Sequence, residues 1–372
     1  MNTLFIGPYR QNDGWGLAAK DYIKSLLTNS NINLTIRPIY LAMMNTEENF
    51  EDEVLIKCEN NHSTKYDMVI QNVLPEHLFY DHQYGKNVGL FTLEINDLSN
   101  TDAVRNINRM DEIWVPSNIE KQSLVKSGVV KPVKVISAAL DTQKLVPQNK
   151  IIFDHNINNT FKFYAIGESV FRKNLEDLFL AFDLEFNQND NVSLIVKTNG
   201  KKQDLENFAS AVQESLGLKK RYRQKLFIVN RLSDQEIIDL HYSCDCFVSC
   251  SYGESFCRPA AEALCLGKNP IVNKNTGMKD FVNEKNGFLV NSYKHPVMLK
   301  RNPISNNNDY YNAHQHWYKV DIYSLMSKMR EAYTMWLKER KIWDEKSELG
   351  KSQKNIFSYE SIGNNLCTQD IK

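Results

Sequence analysis

In the stretch from Cys246 to Leu264, an apolar run breaks at Tyr252-Gly253 and turns at once into a helical pattern. Glu254 stands in the turn and Glu262 inside the helix that follows. The first amides of a helix lack intrahelical partners and sit at the positive end of its dipole, so a strand, a sharp turn and a helix start make an anion site. Carboxylates beside such a site suit a ligand that carries hydroxyls as well as phosphates, and a nucleotide sugar has both.

The elements that must position these residues are legible as two alternating series. Apolar runs predict strands at 4–6, 34–39, 66–73, 88–93, 112–115 and 133–136, with helices between; Ala19, Ile23, Leu26 and Leu27 recur at helical spacing. From Asp141 to Thr160 the pattern lapses, with Pro147 and several asparagines, as in an interdomain linker. A second series predicts strands at 161–166, 192–196, 226–229, 247–249, 270–272 and 287–290, and a helix through Leu175, Leu178, Phe179 and Phe182. Strand–helix alternation predicts parallel, doubly wound sheets. Residues 291–316 fit poorly, and the polar run at 306–311 reads as a surface insertion. The periodicity returns from Ile322 to Leu337, with the charged stretch Lys338–Lys346 as its solvated continuation and a short helix at 357–366.

The spacing Glu254-x7-Glu262, with Phe256 and Pro259 between, resembles the signature of retaining GT-B glycosyltransferases of the glycosyltransferase family 4 type. Asp245-Cys-Phe-Val-Ser resembles the strand that enters this motif, and Ala263 to Val272 the helix end and strand that follow it. Ala165-Ile-Gly-Glu-Ser-Val-Phe-Arg-Lys-Asn is similar to the family's opening donor-domain segment with its basic pair. The resemblance implies an α/β chain of two Rossmann-like doubly wound domains facing a central cleft: an acceptor-side domain over 1–145, completed by residues near 350–372, and a nucleotide-sugar domain over 160–345.

It also implies roles. Transfer of a sugar from a nucleotide diphosphate needs charge stabilisation at the departing diphosphate. The chain has no Asp-x-Asp motif for a metal, so fixed cations and amides are the alternative. Arg172 and Lys173 would hold the diphosphate. They precede a helix start, where a cation opposes the dipole. Glu254 would meet the transferred sugar and Glu262 the ribose hydroxyls, with the backbone of Ser255, Phe256 and Cys257 at the phosphate. Glycine is frequent in the family at positions 255 and 257, so Cys257 is a departure. Lys197 ends a strand and either points into the same site or is an ordinary strand-end lysine. Asn230 and Arg231 end another strand, within backbone reach of the base. Gly14-Trp15-Gly16 resembles the family's Gly-rich loop after the first strand; Trp15 stacks on a sugar or packs under its own loop. Glu94 ends a predicted strand on the acceptor side. His241 reads as a packing residue.

Composition sets the remaining bounds. The 372 residues suffice for two cores, and 45 basic residues balance 45 acidic ones, which disfavours a broad grip on nucleic acid and makes modified DNA a weaker acceptor candidate than a saccharide or other hydroxyl compound. No secretory leader or membrane-length apolar run is visible, so a cytoplasmic location is expected. The seven cysteines lack a paired metal-knuckle spacing, and those on the 246–250 strand read as small core residues. The expected activity is metal-independent, retaining sugar transfer with no cofactor beyond the donor. A GT-B nucleotide-sugar epimerase and a non-catalytic nucleotide-sugar-binding subunit are the alternatives.

Overall fold

The computed structural model describes residues 1–41, 50–99, 101–217, 225–297 and 315–367. The chain divides into two compact units, the first running to Thr142 and resuming at Asn355, the second running from Gln143 to Lys354.

The first unit is built on six parallel strands: β1 (Asn2–Gly7), β2 (Asn33–Pro38), β3 (Met68–Asn72), β4 (Asn87–Leu90), β5 (Glu112–Val115) and β6 (Val133–Val135), in the order β2-β1-β3-β4-β5-β6. Their centres are mostly apolar because helices cover parallel sheets on both faces. The helix Gly14–Leu27 lays Ala19, Tyr22, Ile23 and Leu26 into a core with Phe5, Ile70 and Trp114. A late segment completes this core. The helix Tyr359–Cys367 packs on Gly14–Leu27 and adds Ile362 and Leu366 to the same cluster. Tyr359 donates its hydroxyl to Asp21 Oδ1 at 2.6 Å. The two helices cross at Gly363, where a Cβ would meet the Ser25 carbonyl oxygen at 2.2 Å, so only glycine permits this approach.

The second unit holds β7 (Phe161–Ile166), β8 (Val192–Lys197), β9 (Lys225–Ile228), β10 (Cys246–Ser249), β11 (Ile271–Asn273) and β12 (Phe288–Val290), all parallel, in the order β12-β11-β10-β7-β8-β9. The order in which the strands are added reverses between β7 and β10. In open α/β sheets, ligands bind beyond the carboxyl ends of the strands at such a switch point. Phe161 and Phe163 on β7 pack with Phe179, Phe182 and Phe186, and Phe161 also meets the rings of Tyr333, Trp336 and Trp343. Burial of each such ring contributes about 1.5–3 kcal/mol.

All twelve strands expected from the apolar runs are present, with ends shifted by a few residues. Three expectations need correction. An antiparallel hairpin of β13 (Ser292–Pro296) and β14 (His316–Val320) occupies the flanks of the region that fitted no pattern; the run at 306–311 lies outside the described residues. The stretch 338–346 does not continue the preceding helix. The helix Ile322–Lys338 ends at Glu339, and a separate helix, Arg340–Lys351, buries Trp343, Lys346, Ser347 and Gly350. The segment after Thr142 is bound along its length: the amides of Gln148 and Asn149 donate to Asp239 Oδ1 at 2.8 and 3.2 Å, and that of Ile151 to Ser243 Oγ at 2.7 Å. Among the described residues no helix is long and apolar enough to cross a membrane.

Candidate active site

The chain leaves β7 through Gly167 and forms a short 3-10 turn, Phe171–Lys173; it leaves β10 through Ser251 to Glu254. These two loops flank the switch point and are clasped together. The Tyr252 amide donates to the Arg172 carbonyl at 2.9 Å. Asn174 Nδ2 donates to the Cys250 carbonyl at 3.2 Å. The ring of Tyr252 stacks between Phe171 and Trp317, with centroids 5.3 and 5.6 Å away. Trp317 belongs to β14, and the Tyr318 amide donates to the Tyr252 carbonyl at 3.0 Å, so the hairpin buttresses this turn.

The clasp brings three expected residues into direct contact. Lys173 Nζ lies 2.5 Å from Glu254 Oε1, and Arg172 Nη1 lies 3.1 Å from the same oxygen and 2.6 Å from the Gly253 carbonyl. Glu254 is only 7% exposed. Burial pushes its carboxyl up, but the charges of Lys173 and Arg172 outweigh burial and hold it at about 2. Burial likewise pulls Lys173 down and Glu254 more than compensates, leaving the ammonium above its ordinary value. Glu254 is therefore a fixed anion at neutral pH and cannot act as a general acid there.

The same pair ties stability to pH. A carboxyl depressed in the folded state stabilises fully above its unfolded value, ordinarily 4.5, and loses that contribution as pH falls towards about 2. The Glu254→Gln variant should lose less stability than the parent between about pH 6 and about pH 2, by an amount of the order of 3 kcal/mol. Urea midpoints across that range measure it, and parallel profiles would refute it.

Lys173, Lys197 and Cys257 line one small hollow with Gly167, Val196 and Ser249. Lys197 Nζ donates to the Thr198 carbonyl at 3.1 Å, and burial lowers its pKa. Cys257 caps the helix Arg258–Cys265 at φ 67°, ψ 78°. This left-handed conformation supplies a backbone reason for glycine at that position, beyond room for a phosphate, and cysteine there costs about 1–2 kcal/mol. Its thiol is pushed up to about 12, by burial first and then by Glu254, so it stays protonated. Ser255 and Phe256 are buried, with the Phe256 ring 5.3 Å from that of Phe281. Cys246, Val248 and Cys250 share one core cluster, in keeping with cysteines that act as small core residues.

Glu262 sits within its helix and is held at both oxygens. Arg258 Nε donates to Oε1 at 2.8 Å, and His241 Nε2 lies 3.4 Å from Oε2. Burial raises its carboxyl, while Arg258 and then His241 bring it below the ordinary value. His241 had no local signal beyond its place on a helix; it meets Glu262 only because the helices Asp234–Ser243 and Arg258–Cys265 pack together. Arg231 stands apart. It is exposed in the loop after β9, an edge strand three strand spacings, about 14 Å, from β10.

The remaining expected residues belong to the first unit. Asp13 caps the helix Gly14–Leu27, and its Oδ1 accepts from the amides of Trp15 and Gly16 at 3.0 and 2.9 Å. Those amides are committed to a carboxylate of the chain itself. Gly16 serves a close approach, since a Cβ there would lie 2.0 Å from the Gln11 carbonyl oxygen; Gly14 faces open space. Trp15 is half-buried. Glu94 does not end a strand: β4 stops at Leu90, and Glu94 lies half-buried in the loop beyond.

Residues 147–302 match the family model described as "Glycosyl transferases group 1". The second unit carries a glycosyl transferase group 1 domain. Arg172, Lys173, Glu254 and Glu262 all fall within the matched residues, and β14 with the helices after it lies beyond them. No curated protein gives a match. Solved structures do. HepE from Anabaena, crystallised with UDP and glucose, is 16% identical with TM-score 0.64, covering 99% of this chain and 98% of that one. Sucrose-phosphate synthase from Thermosynechococcus elongatus is 12% identical with TM-score 0.66, covering 99% and 98%. A glycosyltransferase from Rickettsia africae is 15% identical with TM-score 0.63, covering 99% and 97%. These likenesses establish the GT-B fold, two parallel-sheet Rossmann-like domains, and the group 1 domain supports a glycosyltransferase.

Proposed function

We propose that this protein is a retaining glycosyltransferase of the family 4 type that moves a sugar from a nucleotide-diphosphate sugar to an acceptor hydroxyl without a metal ion. The observation that carries this reading is the convergence of Lys173 and Arg172 on Glu254 at the switch point of the second unit. The two cations would take the growing charge of the departing diphosphate, in the place a metal fills in other enzymes. Glu254, fixed as an anion, would bind sugar hydroxyls and stabilise a positive, oxocarbenium-like sugar. It has no proton to give, so the acceptor's proton passes to the leaving phosphate oxygen on the same face. Glu262 would hold the ribose hydroxyls. The acceptor is a saccharide or another hydroxyl compound.

UDP is the first ligand to try, since HepE was crystallised with it. Thermal melts with UDP, ADP, GDP and their sugar conjugates should show one base that stabilises the protein, by about 2.7 kcal/mol at 100 times its Kd. Proton NMR of the product should then show the donor's anomeric configuration kept. An inverted centre would reject retention. Donor consumed without acceptor would mark an epimerase, and binding without turnover over a broad acceptor panel a non-catalytic subunit.

A further inference from the structure

On β7, side chains alternate between faces. Phe163 joins the core beneath one helix layer, so Tyr164 faces the other layer, which includes the helix Asp234–Ser243. There its hydroxyl lies 2.7 Å from His241 Nδ1, and Phe247, its register partner on β10, packs at the edge of its ring. His241 and Tyr164 are both completely buried, so neither can touch a ligand. The other ring nitrogen, Nε2, has no hydrogen-bond partner among the described residues, and Glu262 Oε2 lies 3.4 Å from it. The three side chains form a line from the sheet to the surface of the helix Arg258–Cys265.

Hydrogen-bond accounting sets the direction of this line. A buried phenol keeps its proton, and burial raises Tyr164 well above the ordinary tyrosine value. Its O–H must find an acceptor, and Nδ1 is the one in reach. With Nδ1 accepting, the ring proton sits on Nε2, the nitrogen 3.4 Å from Glu262 Oε2, where it makes an electrostatic contact rather than a formed hydrogen bond. The opposite tautomer would leave the phenol proton without an acceptor and set a lone pair against a carboxylate. Arg258 holds the other oxygen at 2.8 Å. A carboxylate has about four lone-pair positions, so both oxygens keep room for a ligand's hydroxyl groups.

We propose that Tyr164 and His241 are positioning residues that lock the Glu262 carboxylate in the orientation required to recognise the ribose diol of the nucleotide. This inference rests on the donor-site reading above. It makes selection of a ribonucleotide depend on two side chains that never meet the ligand. Without the imidazole, Glu262 would lose one of its two clamps, pivot about Arg258 and no longer present both lone pairs to adjacent hydroxyls.

The test compares UDP with 2′,3′-dideoxy-UDP, which lacks both hydroxyls, by titration calorimetry. The parent protein should prefer UDP by about tenfold to a hundredfold, the value of hydrogen bonds to a charged group. His241→Ala should reduce that preference to less than about threefold, chiefly by weakening UDP. Tyr164→Phe, which removes only the phenol oxygen and keeps the ring packed, should move the ratio in the same direction and guards against a histidine variant that fails to fold. A ratio unchanged in a folded variant, with both ligands weakened equally, would show a merely structural role and overturn the proposal. If the melts select another base, its diphosphate and 2′,3′-dideoxy diphosphate replace the uridine pair, and failure of the donor-site reading looks different: Arg172→Ala/Lys173→Ala would bind both nucleotides as well as the parent does.

Discussion

Lys173→Ala should lower the rate of sugar transfer by about a hundredfold to a thousandfold, the cost of removing one fixed donor from a site where charge develops. The same change should cost about 3 kcal/mol of stability, because it leaves the buried Glu254 with Arg172 as its remaining cationic partner. The two losses have different origins and can be separated. Replacing both members, Lys173→Met with Glu254→Gln, removes one buried charge of each sign and leaves Arg172 on the Gly253 carbonyl, 2.6 Å away, and paired replacements of this kind are often neutral for folding. The double variant should therefore regain most of its denaturation midpoint while transfer stays lost. Recovery of transfer along with stability would mean that the pair serves the fold alone, and the assignment of the diphosphate to this place would fall.

Gly16→Ala and Gly14→Ala should differ sharply although they are two positions apart. At position 16 the new methyl would lie 2.0 Å from the Gln11 carbonyl oxygen, a backbone atom that cannot swing aside. The helix start must shift, and with it the Asp13 cap, for about 1–3 kcal/mol or more. At position 14 nothing lies within 4 Å, so alanine should be neutral or stabilising by up to about 1 kcal/mol through its helix preference. Thermal melts of both variants decide the matter. Equal effects would mean that Gly16 is not held against Gln11. Full stability of Gly16→Ala with impaired nucleotide binding would return this loop to the ligand role suggested by its resemblance.

The strands were readable because buried parallel strands are runs of apolar residues: Leu194, Ile195 and Val196 have no other plausible use. The hairpin was not readable. Its pairing joins residues such as Tyr293 and Lys319, far apart in sequence, and each strand carries few apolar positions. The break at Glu339 was hidden because charged residues continue a helical composition across it. At the site, Arg172, Lys173 and Glu254 were found because their elements are strand ends with a resemblance to guide the choice. Their mutual distances follow from the sheet order, which no single segment encodes. The left-handed backbone at Cys257 was illegible because cysteine carries no such preference. His241 reads as a packing residue, and it is packed; its proximity to Glu262 arises only when two helices meet. Asp13 before a helix start is an ordinary capping signal, and in the structure it caps that helix.

The helix that closes the first unit's core is made after the whole of the second unit. While a ribosome is still adding residues of the second unit, Ile23, Leu26 and Tyr22 wait beside a gap that Ile362 and Leu366 will fill. The helix Gly14–Leu27 is thus made long before the partner that covers it, and the growing chain must shelter an open apolar seam until the residues after the second unit have emerged. A premature stop before Tyr359 would leave that seam permanently uncovered, so truncated products should cling to one another or to chaperones even when the whole glycosyl transferase group 1 domain has been made.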